Sequence, residues 1–208
     1  MLQGLGHEVA QLRMTTEGVR ESAIGKIKGF LCGVYSPAGV KSMRETLLRE
    51  RPDVVNVHNL YPFISPAALK ECRKAGVPVV MTIHNFRLIC PTGLFMRNGG
   101  PCEYCLEQKN EWGCVKFNCE HSRLKSLGYA LRNYVARITR AYSGCVTKFA
   151  CITDFQRQKL IAYGFPANRI TVIPNSMDAD VEVAPGRGDY VAFSGRLSRE
   201  KGVDLIIE

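Results

Sequence analysis

Three polar strand ends and one basic closing loop are the places in this sequence whose residue types could do chemistry. His58 and Asn59 close the run "DVVNVHN", His84 and Asn85 close "VPVVMTIHN", and Asn175 closes "RITVIPN". In open parallel sheets, ligands sit at the carboxyl ends of the strands. One histidine at a strand end is as readily structural as functional. Three polar strand ends in one sheet point instead to a shared cleft. The closing "SGRLSREKG" has a different logic. Gly195 lets backbone approach a ligand, a nearby helix start offers free N–H groups to an anion, Arg196 can fork onto phosphate oxygens, and Lys201 adds a point charge. Taken alone, such a basic turn is more simply a solvated surface loop.

Cysteine is the third signal. Of nine cysteines, Cys90, Cys102, Cys105, Cys114 and Cys119 crowd into one loop, "ICPTGLFMRNGGPCEYCLEQKNEWGCVKFNCEH". The two-residue spacing of Cys102 and Cys105 lets both thiolates reach one metal, and flanking cysteines can complete a tetrahedral set. Structural zinc, an iron–sulfur cluster, a disulfide and unligated thiols all fit that pattern. Cys32, Cys72, Cys145 and Cys151 lie in helical or strand patterns and read as small core residues.

The elements that must position these residues alternate between short apolar runs and helical stretches. "HEVAQLRM", "DVVNVHN", "VPVVMTIHN", "KFACIT" and "RITVIPN" read as strands. "VKSMRETLLRERP" reads as a helix stopped by Pro52, and "DFQRQKLIAYGFP" as one with Asp154 near its start. In "SPAALKECRKAG", Ser65 is the expected N-cap, Pro66 the first helical residue and Gly76 the stop. The stretch "DADVEVAPGRGD" is turn-rich and is the linker candidate. Strands joined by such helices make β-α-β units, hence an α/β fold with a parallel sheet covered on both faces.

Helix 121–142 is the longest. Leu124, Leu127, Leu131, Tyr134, Val135, Ile138 and Tyr142 share one arc of roughly 100°, with Arg123, Lys125, Arg132, Arg137 and Arg140 on the rest of the wheel. Two readings follow: the apolar arc packs on the sheet beneath a solvated basic face, or the helix lies on anionic lipid. On either one the arginines lie off the apolar arc, so neutralising Arg132, Arg137 and Arg140 should leave the fold intact.

With 28 Lys+Arg against 19 Asp+Glu, the net charge of +9 favours anionic partners without choosing among nucleic acid, lipid and phosphorylated small molecules. Aromatics are not interleaved with the basic residues, which argues against nucleic acid. No apolar run approaches the ~20 residues that span a bilayer, and no secretory signal opens the chain, so a cytoplasmic location is expected.

"GHEV", "RPDVVNVHN", "VVMTIHN", "VIPNSMD" and "SGRLSREKG", in this order and spacing, resemble glycosyltransferase family 4. That resemblance implies the GT-B fold, two facing Rossmann-like domains, and transfer of a sugar with retention from a nucleotide diphosphate sugar to a saccharide or lipid-linked acceptor. Residues 1–183 would be the acceptor-binding domain without its first strand, and 188–208 the first strand and helix start of the donor domain. The implied roles are donor-phosphate binding at Gly195, Arg196 and Lys201, a catalytic-site histidine beside the sugar at His84, and a cleft with His58, Asn59, Asn85 and Asn175. Asp178 matches the acidic residue after the hinge. A subgroup with a similar loop implies Cys90, Cys102, Cys105 and Cys119 as zinc ligands, with Cys114 outside the set. No catalytic metal is expected. Contact with the inner membrane face is implied by the lipid-linked acceptors common in the family.

The family's Gly-rich N-terminal loop and its C-terminal Glu-(x)7-Glu motif do not occur here, so the expectation is a fragment inactive on its own. The alternative is a zinc-containing module that binds nucleic acid or protein without catalysis. Another is a remnant that binds acceptor only.

Overall fold

The computed structural model describes residues 3–15, 23–175 and 192–207. Two helices open the main body: α1 (Ala23–Val34) and α2 (Pro37–Glu50). Ser36 caps α2 by accepting from the Gly39 amide at 3.0 Å, and Arg51, at φ 44°, ends it before Pro52. Next come β1 (Val55–Val57), α3 (Leu69–Lys74) and β2 (Val79–Ile83). The cysteine-rich loop holds a two-stranded hairpin, β3 (Met96–Arg97) and β4 (Gly100–Pro101), and two short helices, α4 (Tyr104–Glu107) and α5 (Gly113–Lys116). Then follow α6 (Arg123–Ile138), β5 (Lys148–Cys151), α7 (Asp154–Tyr163) and β6 (Ile170–Val172). The last described segment carries α8 (Asp204–Ile207).

β1, β2, β5 and β6 form a parallel sheet in the order β1-β2-β5-β6, with Val55 opposite Val79, Met81 opposite Phe149, and Phe149 opposite Ile170. Val79, Phe149, Cys151, Leu69, Cys72, Val146 and Leu160 are buried between this sheet and its helices. This is the α/β, Rossmann-like arrangement expected from the near-continuous apolar strands. Cys72, Cys145 and Cys151 serve as the small core residues foreseen, while Cys32 is half-buried.

Several local expectations are corrected. Residues 7–15, including "HEVAQLRM", form no strand, because among the described residues no neighbour offers them a ladder; Leu12 alone packs toward the core. Ser65 does not cap a helix. It sits at φ 59°, and its Oγ accepts from the Ser36 amide at 3.1 Å, tying the 60–65 loop to the start of α2. Residues 192–194 are likewise not a strand, and a 3-10 turn at Arg199–Lys201 precedes α8. The linker candidate 178–189 and Asp178 lie outside the described residues.

The largest correction concerns α6. Its buried residues are Ser126, Gly128, Ala130, Arg132, Asn133 and Ala136, while Leu124 and Ile138 are 68% and 53% exposed. The apolar arc is only partly covered: Leu124, Leu127 and Ile138 are exposed, Leu131, Tyr134 and Val135 half-buried, and Tyr142 buried. Small residues let α6 press against α1 so closely that a side chain at Gly128 would meet the Phe30 ring. Arg132 and Arg137 are therefore structural. The Arg132 Nη2 donates to the Pro91 carbonyl at 2.7 Å, and Arg137 forks onto the nearly inaccessible Glu111 carboxylate at 2.9 and 3.0 Å. Neutralising them should therefore disturb the fold rather than leave it intact. Among the described residues no helix is long and apolar enough to cross a membrane.

Candidate functional site

Adjacent parallel strands bring their carboxyl ends together, and β1 and β2 are neighbours. His58 and His84 accordingly meet: His58 Nδ1 lies 2.9 Å from His84 Nε2, with the rings stacked at 5.2 Å between centroids. One ring must donate and the other accept, so the pair needs at least one neutral imidazole. Both residues are exposed, so each can present its second ring nitrogen to a ligand.

The asparagines that follow turn the chain. Asn59 Oδ1 accepts from the Tyr61 amide at 3.2 Å, and Asn85 Oδ1 accepts from the Arg87 amide at 2.9 Å. Both arrangements use the carboxamide oxygen locally and leave the NH2 group as a donor. Gly93, at φ +81°, lets its loop fold back, since a Cβ there would lie 3.3 Å from Asn85 Oδ1.

His58, Asn59, His84 and Asn85 line one cleft with Leu60, Tyr61, Thr82, Arg87 and Tyr142. Tyr61, Arg87 and Tyr142 were not picked out from the sequence as cleft residues, Tyr142 having been placed on the apolar arc of a helix that ends before it. Arg87 could have been: a cation three residues past a polar strand end is within reach of it. Tyr142 could not, because it comes from the loop after α6. Its hydroxyl lies 2.9 Å from that of Tyr61, and burial pushes both phenols up.

The remaining candidates stand apart. Asn175 follows β6, separated from β2 by β5, and is not among the residues lining the cleft. Gly195, Arg196 and Lys201 are exposed on the last segment, with Arg196 Nη2 3.4 Å from Glu200 Oε1. They do not line the cleft either.

The cysteine loop does gather its thiols. Cys90, Cys102, Cys105, Cys119 and also Cys114 line a single small pocket with Pro91, Met96, Tyr104 and Phe117. Burial pushes the Cys105 thiol up to about 12 and raises Cys114 and Cys119 as well. As placed, no three His, Cys, Asp or Glu side chains among the described residues are arranged to hold a metal ion.

The parallel α/β sheet agrees with the family comparison: the model of Glycosyltransferase Family 4 matches residues 1–181. The chain belongs to glycosyltransferase family 4. No curated protein and no solved structure shows a match. Family membership makes the chain a transferase-family member whose substrates include, in general terms, a sugar acceptor.

Proposed function

We propose that the His58–His84 cleft is the acceptor side of a retaining glycosyltransferase that uses a nucleotide diphosphate sugar and a saccharide or lipid-linked acceptor. The observation that carries this reading is the convergence of His58, Asn59, His84 and Asn85 at the carboxyl ends of two adjacent strands. The bond from the anomeric carbon to the diphosphate oxygen breaks, and its electron pair leaves with the diphosphate. The acceptor hydroxyl oxygen bonds to the same face of that carbon and passes its proton to a departing phosphate oxygen.

His84 orients the sugar and the acceptor hydroxyl; it is not assigned as a base. Gly195, Arg196 and Lys201 would hold the donor phosphates, where growing charge on the leaving group makes cations most effective. Arg196 must exchange its half-buried partner Glu200 for phosphate to do so. Asn175 would belong to the hinge near the end of acceptor-binding residues 1–183, ahead of donor-binding residues 188–208.

Membrane association at the cytoplasmic face forms part of the proposal. The exposed start of the α6 apolar arc, Leu124 and Leu127 flanked by exposed Arg123 and Lys125, has the composition of a helix lying in a lipid interface. Zinc in the cysteine loop is proposed on the convergence of Cys90, Cys102, Cys105 and Cys119, which would have to draw closer than they stand. Metal analysis should give about one zinc per chain, and a value near zero removes that part.

Titration calorimetry tests the central reading. The chain should bind a nucleotide diphosphate sugar, and Arg196→Gln with Lys201→Gln should weaken it at least about tenfold. A saccharide acceptor should be lost in His84→Ala. Equal acceptor binding by His84→Ala and the unaltered chain would overturn the cleft assignment.

A further inference from the structure

Arg87 is held in place at both ends of its backbone and left unfinished at its side chain. Its amide donates to Asn85 Oδ1 at 2.9 Å, and its carbonyl accepts from Asn133 Nδ2 at 2.7 Å. Its side chain lines the histidine cleft, yet Nε is buried with no hydrogen-bond partner. A buried donor on a cation is expensive to leave unmet, and natural structures rarely do so without a reason.

The surroundings raise that cost. Arg132 stands close enough for its charge to disfavour the Arg87 cation, after burial itself. Arg132 has its own contacts: the Pro91 carbonyl, the Tyr61 ring at 4.1 Å and the Tyr129 ring at 4.5 Å. Among the described residues neither arginine forms an ion pair with a carboxylate. Glu120 feels the field of both, with burial raising its carboxyl, but it forms no ion pair with either arginine. Arg87 at the cleft and the buried Arg132 behind it thus stand near each other with no carboxylate in ion-pair contact among the described residues.

We infer that Arg87 is an anion-binding residue of the cleft and that the acceptor carries a phosphate ester, seated on the Arg87 guanidinium beside the His58–His84 pair. This rests on the reading of the cleft as the acceptor site. A doubly charged phosphate balances the two guanidinium charges, which a carboxylate would leave half-compensated. The Arg87 fork gives it directed donors, and the field of Arg132 adds to the attraction. The phosphate can belong to a soluble sugar phosphate or to a prenyl phosphate lipid; the recognition chemistry is shared.

Histidine NMR on the full chain tests this at constant ionic strength, with a hexose 1-phosphate, a short-chain prenyl phosphate, glucuronate and a neutral disaccharide as probes. Either phosphate should shift the His58 and His84 signals, and whichever binds more tightly names the source. Arg87→Met should weaken that response at least about tenfold. Arg87→Lys, which keeps charge but loses the fork, should weaken it several-fold and decides the matter if Arg87→Met does not fold. Unchanged phosphate binding in Arg87→Lys and Arg87→Met, or glucuronate binding as tightly as the phosphates, overturns the inference. If the disaccharide shifts both histidines and no phosphate does, the acceptor reading stands and the anion site falls. If phosphates alone act, the anion site stands and the saccharide reading falls.

Discussion

At the ends of β1 and β2, His58 and His84 face solvent with hydrogen-bonding capacity to spare, whereas on the other side of the cysteine loop Glu111 is 1% exposed and has both oxygens taken by Arg137. The two regions use similarly polar side chains to opposite ends. Around the loop, charge is used internally: Lys159 of α7 meets Glu103 at 2.6 Å just before α4, and Arg137 of α6 holds Glu111 just before α5. At the cleft, polar groups are positioned by backbone turns and left open. Structural polarity is closed on itself, and the polarity of the cleft, which we propose receives acceptor, is not.

The sharpest way to break that contrast is at Glu111. Arg137→Gln leaves a buried carboxylate without its cation, and should destabilise the fold by about 3–4 kcal/mol in urea unfolding. Replacing both partners, Glu111→Leu with Arg137→Leu, should recover much of the loss, because no uncompensated charge is then buried. A single variant with unchanged midpoint would mean that the pair is ornamental.

Glu71 offers a milder version with a pH signature. Hydrogen bonds from Arg44 at 2.7 Å and Lys74 at 2.7 Å hold its carboxyl down at about 2. The folded state therefore favours ionised Glu71, and its contribution is complete above the ordinary carboxyl value and lost as pH falls toward 2. Both cations are well exposed, so Glu71→Gln should cost only about 1–2 kcal/mol at neutral pH. The variant should also show a flatter loss of stability between about pH 5 and 2. Parallel acid-unfolding curves for the two proteins would refute it.

On the exposed side of α6, the comparison turns to cations that have no buried duty. Arg123, Lys125 and Arg140 are exposed, unlike Arg132. Changing the three to Gln should weaken binding to anionic vesicles by about 1 kcal/mol per charge and leave thermal unfolding in place. Vesicle binding equal to that of the unaltered chain would remove the membrane assignment.

What could be read in advance follows the same division. The strands β1, β2, β5 and β6 were legible because β-branched runs with polar ends have few other uses in an α/β chain. The meeting of His58 and His84 followed from that topology. The face of α6 was not legible. Periodicity identifies an apolar arc but says nothing about which side meets the protein, and here close packing against α1 at Gly128 outweighs burial of leucines. Ser65 deceived for a related reason. A serine before a proline looks like a cap locally, but its hydroxyl is claimed by Ser36 from 29 residues away. Arg132 and Arg137 had the spacing of surface cations, and only the tertiary structure reveals their partners.

The smallest expected effect on stability is also the most informative about function. His84→Ala removes an exposed ring whose hydrogen bond to His58 lies at the surface, and Asn59→Ala removes one exposed side-chain acceptor for the Tyr61 amide. Each should change unfolding free energy by no more than about 0.5–1 kcal/mol, the range for surface substitutions and single exposed hydrogen bonds. Acceptor binding should nonetheless fall at least about tenfold in His84→Ala, because the ring nitrogen that faces the cleft is lost with no replacement. Urea unfolding and titration calorimetry on the same samples separate the two quantities. If His84→Ala destabilised the protein as much as Arg137→Gln while leaving acceptor binding intact, the histidine pair would be a strut between β1 and β2. The cleft would then belong with the closed, structural polarity of the cysteine loop.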